Sequence, residues 1–125
     1  MRTLSLVICL VVGGFIVAGC GGKSPTAFCA TYEEQVCARA YECYDVNTKG
    51  TAAFIAEFGA SQSECNSKLK SNNCATVTDN KPCANVAATY HSDKADACLN
   101  DLKAASCATF TGGTFSSGNC DNICS

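Results

Sequence analysis

Hydrophobic positions follow two regimes along the chain. From Leu4 to Val17 they run almost unbroken, and the only charge before Lys23 is Arg2. Beyond Lys23 they recur every three or four positions, which is the helical period. Phe28, Tyr32, Val36, Ala40 and Cys43 make the first such stripe, with Glu33, Glu34 and Arg39 between its members. Ser24-Pro25 supplies an N-cap and a first-turn proline, so the spacing predicts a helix from about Pro25 to Tyr44, with those charged residues on its outer face. Thr51 caps a short helix over Ala52–Phe58, with Phe54, Ile55 and Phe58 inward and Gly59 as its stop. Ser61-Gln-Ser-Glu64 is a capping-box pattern, opening a helix to about Ser71. Thr78–Pro82 reads as a turn, and Cys83–Tyr90 as a brief helical or extended piece. Ser92 or Asp93 caps a helix to about Ser106, with Ala95, Cys98, Leu99, Leu102 and Ala105 on one face. Thr111–Gly118 reads as a flexible loop. The expectation is an all-α domain of four to five short helices.

The unbroken run carries an address. A positive start, an apolar core and the small residues Ala18 and Gly19 are the marks of a secretory signal peptide. Val17-Ala18-Gly19-Cys20 resembles the bacterial lipobox, in which cleavage falls before a cysteine whose thiol takes a diacylglyceryl group. Two other readings are an ordinary cut and an uncleaved span, since Thr3–Gly22 is close to the ~20 residues a span needs. Glycines at 13, 14, 19, 21 and 22 and a single flanking charge suit cleavage better. The expected layout is a signal peptide over 1–19, a lipidated tether over 20–27 and a cysteine-rich helical domain over 28–125. The membrane is then a partner through acyl chains on Cys20, because two or more chains anchor stably where one does not.

Cysteine parity points the same way. Of 12 cysteines, cleavage removes Cys9 and acylation uses Cys20, leaving an even ten for an oxidising compartment. Large aliphatic residues are few after the signal, and bridges would supply what so thin a core lacks. There is no C-x2-C pair and only one histidine, so neither metal nor any other cofactor is expected. Without Arg2 the balance is 8 basic against 11 acidic residues, a net charge of −3 with no basic cluster, which disfavours nucleic acid.

Pairing can be narrowed by geometry. Cys29/Cys37, Cys65/Cys74 and Cys98/Cys107 are eight or nine residues apart, which is ~12–13.5 Å along a helix. A disulfide spans at most about 6.8 Å between Cα atoms, so none of these local pairs closes. Antiparallel nesting of the first helix on the Ser61 helix predicts Cys43–Cys65, Cys37–Cys74 and Cys29–Cys83. The same nesting after the Ser92 helix predicts Cys107–Cys120 and Cys98–Cys124.

The motif C-x3-LK-x3-CAT occurs twice, at Cys65–Thr76 and Cys98–Thr109. One pair is too few for a solenoid and reads as a reused helix-to-cysteine unit. The spacing of Cys29/Cys37/Cys43, with Phe58-Gly59 before Glu64-Cys65 and Ala97-Cys98-Leu99 before Ser106-Cys107, resembles small, cysteine-rich, mostly helical lipoproteins of myxobacteria and their relatives. That resemblance implies a fold and an anchor, and no activity.

Candidate chemistry is sparse. Asp45, Asn47 and Gly50 resemble the opening of a calcium loop, but Lys49 and Ala56 occupy ligand positions, so a polar inter-helix turn is expected. His91 adjoins Ser92 and Asp93, and neighbours at a helix start are more often caps than a triad. No enzyme is visible. The expected function is an exported, lipid-anchored envelope protein with a binding or structural role; the small neutral Gly21 after the cysteine resembles the outer-membrane sorting rule, which implies that membrane as its location. The runner-up is an inhibitor of secreted hydrolases presenting Gly112–Gly118, and the third reading is an enzyme using His91.

Overall fold

The computed structural model describes residues 22–125. The lipobox, Cys20 and most of the tether lie outside those residues. The described chain is all-α: α1 Pro25–Cys43, α2 Val46–Lys49, α3 Ala52–Phe58, α4 Gln62–Asn73, α5 Ser92–Ala104, α6 Cys107–Thr111 and α7 Gly118–Asp121. Among the described residues only isolated bridges occur outside helices, Thr78 with Lys81 and Tyr90 with Cys124. No helix among them is long and apolar enough to cross a membrane.

Local sequence accounts for most helix boundaries. Ser24 accepts from the Ala27 amide and Pro25 fills the first turn of α1. Thr51 caps α3 through the Phe54 amide, and Gly59 ends it at φ 85°. Ser61 accepts from the Glu64 amide, while the Glu64 carboxylate accepts from the Ala60 amide. Four features differ from the expectation. The expected turn at 45–50 contains one helical turn, α2, because Asp45 accepts from the Asn47 and Thr48 amides. The Ser92 helix stops at Ala104, since Ala105 is extended and Ser106 caps a separate helix, α6. Helix α7 starts where Ser117 accepts from the Asn119 and Cys120 amides. Residues 83–88 form bends and a turn, and the extended part of the expected piece is confined to Thr89 and Tyr90, which pair with the tail.

The 19-residue α1 is the axis of the domain. Helix α4 lies antiparallel to it, joined by Cys37–Cys65 near α4's start and Cys29–Cys74 at α4's end. Helix α5 runs parallel to α1 on another side. Lys23 bonds to Asp96 at the start of that pair, and Cys43–Cys107 joins the far ends. The remaining bonds are Cys98–Cys120, between α5 and α7, and Cys83–Cys124.

All five expected pairings are therefore corrected. In place of Cys43–Cys65, Cys37–Cys74 and Cys29–Cys83, the nest on α4 is shifted by one cysteine. Cys43 lies six residues beyond Cys37 and so points about 120° around α1 from it. It faces α6 instead of α4. Cys107 is thereby taken from Cys120, which bonds Cys98, and Cys124 is left to Cys83. Every bridge still joins separate elements, and none of the three local pairs forms.

A helix packed on two sides has little outer face. Glu33, expected in solvent, is buried, and the Arg39 side chain is only 12% exposed. Arg39 instead donates to the Ala105 carbonyl at the α5–α6 joint and pairs with Glu42 at 2.6 Å. A positive group beside a helix C-terminus is favourable. The core has two parts. One is Cys37, Ala40, Phe54, Phe58 and Cys65 with Val36, Tyr41, Tyr44, Leu69 and Phe110 against it. The other is Ala95, Cys98, Leu99 and Leu102. Ile55, expected inward, is exposed, because Phe54 and Phe58 already fill the face that α3 turns to the core.

Candidate functional site

Phe28 and Tyr32 are one turn apart on α1, with ring centroids 5.8 Å apart. Their face does not close against another helix. Across from it stand the Cys98–Cys120 bridge and Ile123, and together these five residues line an apolar recess of about 220 Å³. Cys98 comes from α5, whose Ala95/Cys98/Leu99/Leu102 stripe faces α1. Cys120 sits on α7, held by its bond to Cys98. Ile123 is brought back by the tail: its carbonyl accepts from the His91 amide at 2.8 Å, and Thr89 and Ser125 exchange two backbone bonds. Cys83–Cys124 fixes the same strand-like piece.

The lining carries no charge, and its one polar side-chain group is the Tyr32 hydroxyl. Burial, and then the neighbouring Glu33 carboxylate, raise the Tyr32 phenol above its ordinary value, so it stays neutral. At about 30 Å³ per water-sized group, the recess holds roughly seven methylenes or a single ring. That is below the ~300–1,000 Å³ of sites for larger ligands. Each buried methylene favours binding by ~0.8 kcal/mol. The recess can take a short aliphatic or aromatic group, and its residues offer no nucleophile or general base.

Beside the recess the first described residues are clamped. The Lys23 amide donates to Asp96 at 3.4 Å, and the Tyr90 hydroxyl donates to the Lys23 carbonyl at 2.9 Å. The Thr26 amide and hydroxyl both donate to Asp79, at 3.2 and 2.9 Å. These two bonds hold Asp79 below the usual carboxylate range. Tyr90 is pushed up to about 12 by burial and by the Asp96 and Asp79 carboxylates, so it remains a donor. Gly22 lies so close to α5 that a Cβ there would meet the Ser92 carbonyl oxygen at 2.5 Å.

On the opposite side of α1, buried Glu33 accepts from the Asn73 side chain at 2.9 Å beside the Cys29–Cys74 bridge. Burial raises Glu33 above its ordinary value, and the Asn73 bond partly offsets this. The carboxylate lies within reach of both sulfurs, but these are bonded to each other and offer no thiolate to a metal.

The other candidates from the sequence have local roles. His91 is the N-cap residue of α5 and acts through its backbone, accepting from Ala95 and donating to Ile123. Among the described residues no hydrogen bond joins the side chains of His91, Ser92 and Asp93. Asp45 spends its carboxylate on α2, and Lys49 donates to the Tyr41 carbonyl. In Gly112–Gly118, Thr114 bonds back to the Thr109 carbonyl and buried Ser117 donates to Asp101, leaving residues 111–114 as an exposed tip.

Sequence reasoning missed the recess, the clamp and buried Glu33. The Phe28/Tyr32 spacing was visible, but the opposite wall depends on a disulfide partner and a returning tail. No protein family, curated protein or solved structure matches the chain.

Proposed function

We propose that the chain is an exported, lipid-anchored protein of the cell envelope, a binding domain rather than an enzyme. The observation that carries this reading is that the ten cysteines from Cys29 to Cys124 are consumed in five bonds with one another. Cys20 then has no cysteine left among the described residues to pair with, and it stands directly after the lipobox-like Val17-Ala18-Gly19. Acylation is the use that this context offers its thiol. Five disulfides also suit an oxidising compartment. Gly21 favours the outer membrane.

The bound group would be short and apolar, taken by the Phe28/Tyr32/Ile123 recess. Mass spectrometry of the protein from membranes tests the anchor. A mature chain starting at Cys20 with added acyl mass, lost in Cys20→Ser, is expected. An unacylated wild-type chain in the aqueous phase of a detergent separation refutes the reading.

A hydrolase inhibitor is the second reading. What favours it is the exposed tip 111–114, braced on either side by Cys43–Cys107 and Cys98–Cys120. Bracing of this kind lowers the entropy cost of binding. Stoichiometric inhibition of a secreted protease, lost on replacing Thr111–Thr114, would establish it.

A further inference from the structure

The domain has two distinct ends. At one lie the start of α1, the end of α4, the start of α5 and residues 79–90. At the other lie the end of α1, α2, α3 and the start of α4. Three observations define the first end: the Thr26–Asp79 bonds, the Tyr90–Lys23 bond and the Cys29–Cys74 bridge. The segment 79–90 is pinned at both ends to residues 23 and 26 and stitched by Cys83 to the tail. It therefore covers this end of α1.

We propose that this end, with the loop Pro82–Ala88 and Val86 at its crest, is seated on the lipid headgroups of the bilayer that holds the Cys20 acyl chains. The inference rests on the lipoprotein reading above. Its own argument is the clamp. Because Gly22 lies against α5 and Lys23 is bonded to Asp96 and Tyr90, at most three residues of chain separate Cys20 from the clamp. Three residues extend at most about 11 Å. The headgroup layer on each side of a bilayer takes up about 5–8 Å of that length. A domain held so short cannot stand off, and the surface around its clamp must meet the lipid.

That surface fits the task. Pro82–His91 contains no charged residue, and Ala84 to Ala87 are all exposed. Val86 is 83% exposed, the most exposed of the large aliphatic side chains there. Lys81 opens the segment and Lys23 is tied through its carbonyl to Tyr90 at the segment's end, while Asp79 and Asp96 are occupied by the clamp. Exposed Val46, at 77%, is on α2 at the opposite end and would face away from the bilayer.

The chain has no tryptophan, so Val86→Trp and Val46→Trp each introduce a single tryptophan at an exposed position, which can be excited apart from the tyrosines. The experiment uses the full-length protein purified from membranes and reconstituted in vesicles of phosphatidylethanolamine and phosphatidylglycerol, with and without bromine-labelled acyl chains. With acyl mass verified on the sample, the Val86→Trp emission should shift to the blue and lose part of its intensity to bromine, while Val46→Trp is unaffected. Releasing the clamp with Tyr90→Phe and Asp96→Ala should restore much of the Val86→Trp emission. An acylated sample in which Val86→Trp is not quenched, or in which both tryptophans are quenched alike, overturns the seating and leaves the anchor intact. A sample with no acyl mass removes the anchor and the seating together.

Discussion

The Tyr41 hydroxyl donates to the Gly59 carbonyl at 2.7 Å, tying the last turn of α1 to the α3–α4 junction. Gly59 stands at φ 85°, ψ 176°, a backbone region open essentially to glycine. A Cβ there would also press within 2.9 Å of Glu64 Cγ, the residue whose carboxylate holds the Ala60 amide. The junction is thus fixed by a hydrogen bond, a glycine and a cap together.

Gly59→Ala should destabilise the domain by about 1–3 kcal/mol, and Tyr41→Phe by about 0.5–1.5 kcal/mol. Because the first substitution displaces the carbonyl that the second relies on, the double variant should lose less than the sum of the two. Urea unfolding of the four proteins measures this. A neutral Gly59→Ala would show that the junction yields to a side chain and does not require glycine.

The bridges should differ in what they hold. Cys37 and Cys65 are fully buried within the aromatic core. Replacing both with alanine should cost about 2–5 kcal/mol and lower the midpoint of the whole transition. Cys83–Cys124 closes the end loop, and Cys124 is exposed. Its removal should leave the helical circular dichroism intact and raise amide exchange at Thr89 and His91, whose amides bond the tail. Equal losses from the two deletions would contradict this division.

The fold was legible wherever a boundary had a local cause. Ser24-Pro25, Thr51, Gly59 and Ser61 with Glu64 each act on amides or carbonyls within four residues, so α1, α3 and α4 could be read from short windows. Helices α6 and α7, at five and four residues, are too short to show a period. Ser106 looked like the end of a helix, although it caps a new one. The absence of local pairs followed from helical rise alone, whereas partner choice did not. Partner choice required knowing that α5 runs parallel to α1 and α4 antiparallel, which decides whether Cys43 meets Cys65 or Cys107. The recess was illegible for the same reason, since two of its walls arrive from the last six residues. Glu33 was misread because an acidic residue between apolar stripe positions ordinarily marks solvent, and here α4 covers it.

The recess should show a chain-length limit. A series of linear alcohols should gain about 0.8 kcal/mol per added methylene. The gain should stop at roughly seven carbons, when the volume is filled. Ile123→Trp should remove the binding without lowering the thermal midpoint, because Ile123 lines the recess and stands outside both parts of the core. Titration calorimetry or chemical-shift changes at Tyr32 measure it. Affinities that ignore chain length would exclude the apolar recess as the binding site.

The buried Glu33 gives stability an unusual pH dependence. Its folded-state value is raised above the ordinary 4.5, mainly by burial. The folded protein therefore binds this proton more tightly than the unfolded chain does. The resulting stabilisation is complete below the unfolded value and is lost as pH rises through the folded one. Asp45, Asp79 and Asp101 behave in the opposite way. Each is lowered from 3.8 by hydrogen bonds, chiefly from Thr48, Thr26 and Ser117 respectively. Their contribution is present above the unfolded value and is lost as pH falls through the folded ones. Glu33→Gln keeps an oxygen to accept from Asn73 but cannot ionise. Its thermal midpoint should exceed the wild type's at neutral pH, and the two curves should converge as pH falls below 4.5. Asp101→Asn should instead lower the midpoint at neutral pH and converge with the wild type only in strong acid. Parallel wild-type and Glu33→Gln curves across this range would mean that Glu33 titrates alike in the folded and unfolded chains, and that its burial beside Cys29–Cys74 carries no electrostatic cost.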